Sequence, residues 1–271
     1  EQILKKVNAK FVYGLTATPI RKDGHDPIIF MQCGPLRYRV DPIKQADMRP
    51  FDHYIIPRFT SFRVDTSENS TINDIYSKII KSNMRNKLIT EDGLESLKRG
   101  RNSIVLTERT AHADILSEIL KSHTKNVIIL NGSLKSKERK DELEKIRAIP
   151  KNESFVIVAT GKFVGEGFDE PRLDTLFLAM PISWKGTLQQ YSGRLHRLYE
   201  NKIEVQVYDY VDIHLEMLTK MYQKRLKGYA DIGYKVKGNL EEQQKIDTIY
   251  NGKNYWNTYI EDLIFSKKEI F

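Results

Sequence analysis

The chain has 271 residues, of which 40% are hydrophobic and 30% are charged, as is usual for a soluble globular protein of one or two domains. Its apolar runs fall far short of the roughly 20 residues that a membrane helix needs, and its N-terminus lacks the pattern of a signal peptide, so we expect no membrane partner. The one cysteine, Cys33, excludes an internal disulfide and suits a cytoplasmic location. The net charge of +8 is compatible with either a polyanionic partner or a solvated basic surface.

The first 70 residues differ in pattern from the rest of the chain. The pattern of residues 1–20 predicts the end of a helix, followed by a strand over Phe11–Thr16. Pro19 is expected to end this stretch. Prolines recur through residues 21–70, at positions 27, 35, 42, 50 and 57. Because proline interrupts helix interiors and central strands, we expect an extended connecting segment there. A polar break at Asp65–Ser70 then precedes a helix predicted over Thr71–Lys98.

From about residue 102 to 211, short apolar runs alternate with amphipathic stretches. Most of the runs are continuously apolar, which is typical of strands buried on both faces. The predicted strands are Ser103–Thr107, Asn126–Leu130, Ser154–Ala159, Asp174–Met180 and Glu204–Tyr210. The predicted helices are Ala111–Ser122, Glu138–Ile149 and Thr187–Leu198, the last opening with a capping box of Thr187 and Gln190. Such alternation predicts parallel βαβ units, and the chain after about residue 212 is expected to be mainly helical.

The stretch QYSGRLHR, residues 190–197, carries the most informative pattern. On an α-helix, Gln190, Arg194 and Arg197 would share one narrow face. A separate apolar stripe would anchor that helix: Leu188, Tyr191, Leu195 and Leu198. Because the planar guanidinium donates several hydrogen bonds, two neighbouring arginines suit a phosphate. The alternative is a pair of ordinary surface arginines.

The stretch ATGKFVGEGFDEP, residues 159–171, follows a predicted strand at the edge where open α/β sheets bind ligands. Thr160, Gly161 and Lys162 offer a hydroxyl, an unhindered N–H and a cation to a phosphate. Gly167 permits close backbone approach, and Asp169 can accept a hydrogen bond from a sugar hydroxyl. The alternative is a glycine-rich turn with exposed charges.

A third stretch, YGLTATP at residues 13–19, ends a predicted strand with Thr16 and Thr18 on either side of Ala17. Compact hydroxyls can relay contacts between two surfaces, although a threonine-rich strand end more commonly reflects β-propensity and a turn.

Taken in order, TATP, ATGKFVGEGFDEP and QYSGRLHR resemble the third, fifth and sixth conserved motifs of superfamily 2 helicases. The last fits the family pattern Q-x-x-G-R-x-x-R at Gln190, Gly193, Arg194 and Arg197. TATPIRKDG is most similar to the XPB-like branch and to restriction-type helicase subunits. SIVLTERTAHADIL and ILNGSLKSKERKDELEKI resemble the intervening motifs, so the resemblance covers roughly residues 1–211.

The resemblance implies an α/β fold, a RecA-like parallel sheet with helices on both faces. Residues 1–20 would end a first RecA-like lobe, 21–70 would connect, and 71–213 would form the second lobe. Residues 214–271 would be a mainly helical extension, either an aromatic helical tail or the lead into a further domain. The chain contains neither a G-x-x-x-x-G-K-[ST] loop nor a D-E-x-H box, which in the family precede TATP. We therefore expect this chain alone not to hydrolyse ATP.

The resemblance also implies residue roles in an ATP-dependent helicase or translocase. Arg197 would be the arginine finger towards ATP, Arg194 would assist it, and Gln190 would tie the helix to the nucleotide site. Asp169 would contact the ribose, and Gly167 would shape that turn. ATP with Mg²⁺ would be held mostly by the first lobe of the same polypeptide.

Two further groups of residues follow from the same resemblance. The expected contacts to a nucleic-acid backbone are Thr107, Arg109, Gly132, Thr160, Gly161 and Lys162, with DNA expected over RNA. The residues expected to couple the ATP state to strand grip are Thr16, Ala17 and Thr18. We expect no metal site among the histidines, which lack ligand spacing. Two alternatives remain: a basic nucleic-acid-binding module without motor activity, and a complete α/β enzyme that binds another ligand at the same edge.

Overall fold

The structure is a computed structural model that describes residues 8–16, 24, 26–64, 71–161, 168–182 and 185–237. Its strands are β1 (Asp52–Phe59), β2 (Ser103–Thr107), β3 (Val127–Leu130), β4 (Val156–Thr160), β5 (Thr175–Leu178), β6 (Glu204–Val211) and β7 (Lys235–Val236). Its helices are α1 (Asp26–Cys33), α2 (Pro42–Asp47), α3 (Ile72–Ile80), α4 (Asn83–Lys98), α5 (Thr110–Lys121), α6 (Ser136–Ala148), α7 (Lys185–Ser192) and α8 (Glu216–Ala230), with a 3₁₀ turn at Gly193–His196.

The seven strands form one sheet in the order β3-β4-β2-β5-β6-β1-β7, and each pairing is parallel. Thr107 at the end of β2 lies beside Thr160 at the end of β4. Leu130 at the end of β3 lies beside Ala159 of β4. The residues that follow these three strands therefore leave the sheet at one shared edge, where ligands bind in open α/β folds.

Helices cover both faces of the sheet. Ile104 of β2 belongs to a buried cluster with Leu188 of α7 and Tyr229 of α8. The next residue, Val105, belongs to a cluster on the opposite face with Leu116 of α5. Strands buried on both faces are what the continuously apolar runs predicted. The predicted fold class, a parallel α/β sheet between helical layers, is confirmed.

The segment 21–70 differs from the extended connection expected from its prolines. It contains α1, α2 and β1, and β1 pairs with β6 over eight residues. Pro42 is the first residue of α2, where a helix does not need its N–H. Asp41 caps that helix by accepting from the N–H of Ile43 at 2.9 Å. Most prolines of this segment therefore lie near the ends of helices and strands, and they do not show that such elements are absent.

Pro57 is accommodated inside β1 because of the direction in which its nitrogen faces. The N–H groups of Asp52 and Thr60 donate to the backbone on the β6 side, so the backbone groups of odd-numbered β1 residues face β7. The β7 pairing covers only Tyr54 and Ile55. The nitrogen of Pro57 therefore faces a stretch beyond that pairing, where a missing donor breaks no ladder bond to β7.

The prediction of one helix over Thr71–Lys98 is wrong, because α3 and α4 are separate helices. A capping box between Thr71 and Asp74 begins α3. The carbonyl of Ile80, near the end of α3, accepts from the side-chain amide of Asn86 at 2.8 Å. In a continuing helix the carbonyl of Ile80 would accept from a backbone N–H. The side-chain amide of Asn86 replaces that bond, so the helix can end here.

The strand predicted over Phe11–Thr16 is also absent, and these residues form irregular, exposed backbone. A strand persists only where a neighbour pairs with it, and none of the described strands pairs with this segment. Apolar composition alone was therefore an insufficient signal.

After residue 213 the chain forms α8 and β7, and β7 joins the same sheet beside β1. Arg225 of α8 forms two hydrogen bonds to the Asp209 carboxylate of β6, at 2.7 and 2.8 Å. It also donates to the carbonyl of Ile182 at 2.8 Å. The helical prediction agrees with α8, whereas residues 238–271 lie outside the described part. No helix within the described ranges is long and apolar enough to cross a membrane.

Candidate functional site

The QYSGRLHR stretch does not form the single helix that its spacing predicted. Helix α7 begins at Lys185, so the predicted cap residue Thr187 lies inside it, and it ends at Ser192. The 3₁₀ turn follows, and Arg197 is extended, with φ −68° and ψ 134°. Leu198, expected on the buried stripe, is exposed. Gln190, Arg194 and Arg197 therefore do not share one α-helical face, because the chain tightens at Gly193 and then leaves the helix.

The two arginines nevertheless converge on one short segment. Arg194 donates through Nη1 to the carbonyl of Phe168 at 2.8 Å. Arg197 donates through Nε to the carboxylate of Asp169 at 2.9 Å. Burial lowers the pKa of Arg194, and the charge of Arg197 adds to this effect, so the two guanidiniums are close enough to repel. Gln190 is exposed on the last turns of α7. The structure thus joins three of the residues expected at a nucleotide: Arg194, Arg197 and Asp169.

The residues expected to hold a nucleic-acid backbone follow three neighbouring strands. Thr107 ends β2 and Thr160 ends β4, and both side chains are buried. Arg109 is exposed and donates to the side chain of Asn73 at 2.6 Å. Gly132 is exposed just after β3, and Gly161 is buried just after β4. These five lie on one edge of the sheet, as the positions of the strand ends predicted.

A buried histidine holds Thr107 in place. The Thr107 hydroxyl lies 2.9 Å from Nδ1 of His112, and Nε2 of the same ring lies 2.9 Å from the Oδ1 atom of Asn86. Burial lowers the pKa of His112 to about 3, and the charge of Arg85 adds to the shift, so the ring is neutral. The spacing of the histidines argued against a metal site but could not reveal this role, because Asn86 lies 26 residues from His112 along the chain.

Tyr191 links the arginine-bearing segment to the strand ends. Its side chain is buried, and its hydroxyl donates to Oε1 of Glu108, between Thr107 and Arg109, at 3.1 Å. The same hydroxyl occupies the space that a side chain at Gly161 would need. The sequence placed Tyr191 on an apolar stripe, which is confirmed, but gave no sign of its polar contact.

Residues 83–199 match the family model described as the helicase conserved C-terminal domain. These residues therefore form a helicase conserved C-terminal domain. The three motifs predicted this family, and the parallel sheet is the RecA-like α/β fold that the resemblance implied.

Three solved structures show the same fold as this helicase lobe. A fragment of a putative HsdR subunit of a type I restriction enzyme from Vibrio vulnificus is 18% identical, with a TM-score of 0.59, over 83% of this chain and 44% of that one. T4 UvsW is 20% identical, with a TM-score of 0.54, over 70% of this chain and 41% of that one. Saccharomyces cerevisiae Dbp5 bound to RNA and ADP BeF3 is 16% identical, with a TM-score of 0.52, over 82% of this chain and 51% of that one.

The helicase lobe thus spans about two fifths to one half of each of these longer chains. No curated protein matches its sequence. Four of the expected functional residues lie outside the described part of the chain: Ala17, Thr18, Lys162 and Gly167. Thr16 is described and exposed. Within the described residues, no group of three or more histidine, cysteine or acidic side chains is arranged to hold a metal ion.

The contact between Gly161 and Tyr191 predicts that the helicase lobe does not tolerate a side chain at position 161. A methyl group there would overlap the Tyr191 hydroxyl, and the ring cannot retreat easily because it is buried and bonded to Glu108. We expect Gly161→Ala to lower the free energy of unfolding by about 1–3 kcal/mol. Denaturant unfolding measures this change.

Gly93→Ala is the matched control for that substitution. Gly93 is inside α4, and an added methyl group would make only an ordinary contact of 3.6 Å with Leu120. We expect no loss of stability there, and a gain of up to about 1 kcal/mol from helix propensity. Equal stability of the two variants would show that the Tyr191 hydroxyl does not fill the space beside Gly161.

Proposed function

We propose that this chain is the second lobe of an ATP-dependent DNA helicase or translocase, and that Arg197 is its arginine finger. The observation that carries the proposal is the convergence of Arg194 and Arg197 on Phe168–Asp169. Two cations and one carboxylate meet there. A site of this kind can bind a phosphate and a ribose hydroxyl at the same time.

The side chains in this patch fit ATP as the resemblance implies. Arg197 and Asp169 are both about half exposed, and such an ion pair contributes only about 0–1 kcal/mol. The guanidinium can therefore turn to a phosphate, and the carboxylate to a ribose hydroxyl, at little cost. Arg194 would assist Arg197, Gln190 would contact the nucleotide site, and Gly167 would shape the turn. In this proposal Mg²⁺ and most contacts to the triphosphate belong to the first RecA-like lobe.

The proposed nucleic-acid track is the edge formed by β2, β3 and β4. Arg109 and Lys162 would supply cations, and Gly132 and Gly161 would allow the backbone to approach closely. Thr107 and Thr160 would offer hydroxyls at the strand ends. Contacts of these kinds recognise phosphates and not bases, as a protein that moves along any sequence requires.

The motif TATPIRKDG favours the XPB-like and restriction-type branch, and the HsdR and UvsW structures match this chain over most of its length. Thr16, Ala17 and Thr18 are proposed to couple ATP state to strand grip. The division into an end of the first lobe (1–20), a connection (21–70), a second lobe (71–213) and an extension (214–271) stays a prediction, as does a cytoplasmic location.

This proposal predicts weak, salt-sensitive and sequence-independent binding of nucleic acid by the chain. One lobe provides part of the footprint, so we expect a Kd of about 10⁻⁴–10⁻⁶ M at physiological salt. Each neutralised phosphate releases counterions, so affinity should fall steeply as salt rises. The measurement is a fluorescence titration of labelled single strands and duplexes, with DNA and RNA of two unrelated sequences, across a salt series.

Arg109→Ala should weaken binding to all sequences alike and reduce the salt slope by about one phosphate contact. Arg99→Ala is its control, because Arg99 is an exposed arginine near the end of α4, bonded to Glu95. A strong preference for one sequence, or binding that ignores salt, would favour the rival module without motor activity. Tight binding of a small molecule by this chain alone would favour the rival α/β enzyme.

A further inference from the structure

Lys202 is a buried lysine whose side chain ends among main-chain oxygens. Its Nζ atom lies 2.8 Å from the carbonyl oxygens of Pro171, Leu173 and Arg197, and 3.0 Å from that of Leu195. We call these four groups the carbonyl cage. An ammonium has three N–H donors, so the cage saturates it without any carboxylate in hydrogen-bond contact.

The local backbone is shaped to bring this side chain inwards. The N–H of Lys202 bonds to the carbonyl of Tyr199 at 3.3 Å, closing a turn. Asn201 in that turn has φ 63°, a left-handed conformation that asparagine tolerates better than most residues. The ring of Phe51 lies 5.5 Å from the ammonium, a further favourable contact.

The lysine keeps its charge at neutral pH despite its burial. Burial lowers the pKa of Lys202 to about 8, while the nearby carboxylates of Asp174 and Glu170 oppose that shift. The charge of Arg101 lowers the pKa slightly. The protonated form therefore prevails below about pH 8, and it is the form that offers three N–H donors to the cage.

The carbonyl cage joins the two segments that bear the nucleotide residues. Pro171 and Leu173 follow Asp169 closely, whereas Leu195 and Arg197 belong to the arginine-bearing segment. The direct bond between Arg197 and Asp169 is an exposed ion pair, which is too weak and too easily exchanged to fix the backbone on either side. The buried ammonium contacts both backbones at once and does not depend on whether that pair is formed.

We propose that Lys202 is a positioning residue, which fixes Arg197 opposite Asp169 by binding the backbone on both sides of the nucleotide site. This inference rests on the function proposed above. Arg197 follows the 3₁₀ turn and has extended backbone, and its carbonyl is one of the four that bind Lys202. When Arg197 turns from the carboxylate to a phosphate, its backbone stays in place.

The test begins with Lys202→Ala, which removes three methylene groups and the ammonium. Propylammonium has the composition of the missing fragment and can enter the cage. We expect the variant to melt at a lower temperature than the wild type, and propylammonium to restore part of the loss where tetramethylammonium, which has no N–H donor, does not. We also expect the NMR signal of the Arg197 Nε–H group to shift or broaden in Lys202→Ala and to return with propylammonium.

In the protein that carries both lobes, Lys202→Ala should lower kcat for nucleic-acid-stimulated ATP hydrolysis by about 10²-fold, the effect of a small misplacement of a catalytic group. The Kd for nucleic acid should stay unchanged, because the strand ends are not part of the cage. Lys220→Ala is the control, since Lys220 is an exposed ammonium on α8 that pairs with Glu216. It should leave the melting temperature, the arginine signal and kcat as in the wild type.

A folded Lys202→Ala variant with a normal Arg197 signal and normal kcat would overturn the proposal. If that variant does not fold even with propylammonium, Lys202→Gln, whose amide retains two donors, is measured in the same way and judged by the same criteria. If the wild type itself shows no stimulated hydrolysis, the proposed function fails, while the arginine signal and the rescue by propylammonium still decide the role of Lys202.

Discussion

Arg197→Ala, in the protein that carries both lobes, is expected to lower nucleic-acid-stimulated ATP hydrolysis by about 10³–10⁵-fold, the size of effect of arginine fingers in well-studied nucleotidases. The guanidinium would act on charge that develops on the transferring phosphoryl group, so its loss should appear in kcat. Nucleic-acid affinity should remain close to that of the wild type, because Arg197 lies beside Asp169 and not at the strand ends. Steady-state kinetics and a binding titration measure the two quantities.

Two further variants make this prediction specific. Arg99→Ala is the control, because it removes an ion pair of similar exposure. The side chains of Arg99 and Glu95 are 62% and 51% exposed, and those of Arg197 and Asp169 are 54% and 52% exposed. The control should hydrolyse ATP normally. Arg197→Lys should remain impaired, because a point charge lacks the planar fork. Normal turnover by Arg197→Ala would show that the finger is another residue, and equal loss of turnover and of nucleic-acid affinity would favour the binding-module alternative.

The largest effect on stability is expected from Arg225→Met. Arg225 and Asp209 are almost completely buried, and their two hydrogen bonds join α8 to β6. Methionine fills a similar volume but leaves the Asp209 carboxylate buried without a cation. Breaking a buried pair in this way costs about 3–5 kcal/mol. Denaturant unfolding at neutral pH should show that loss in the free energy of unfolding.

The double variant Arg225→Met/Asp209→Asn separates the lost charge pair from lost packing. Removing both charges should recover much of the stability, because no buried charge is left unpaired. Lys220→Ala on the exposed side of the same helix is the control and should change stability by less than about 0.5 kcal/mol. If the double variant is as unstable as Arg225→Met, packing of the arginine stem accounts for the effect.

The sequence predicted the strands of the central sheet because their signal is local. Strands such as Ser103–Thr107 and Val156–Thr160 are uninterrupted apolar runs, and both are buried throughout. β1 was missed because its inward and outward residues alternate and Pro57 breaks the pattern, while its stability comes from β6, far along the chain. Local pattern therefore identified strands with two buried faces and overlooked a strand that depends on its partner.

For the candidate site, too, local sequence pattern indicated some of the residues and missed those that depend on distant partners. The sequence motifs singled out Arg194, Arg197 and Asp169 as candidates for a nucleotide site, and the structure brings these three residues together. Motif spacing gave the wrong conformation, because a spacing of i, i+4 and i+7 cannot reveal that an α-helix tightens at Gly193. Lys202 and Tyr191 act through partners that lie far from them in sequence or are backbone atoms, and such contacts leave no pattern in a single sequence.

The pairing of β1 with β6 has a consequence for synthesis on the ribosome. Thr60 at the end of β1 bonds to Asp212, which lies 152 residues later. At roughly 5–20 residues per second, β1 waits about 8–30 s for its neighbour. During that interval it is an unpaired strand that a second nascent chain could join. Pro57 removes a donor from the edge that faces β7, and the charged Arg58 lies beside it, so both disfavour pairing with a second chain at that edge. The residue that concealed β1 in the sequence thus protects one of the two edges of that strand during synthesis.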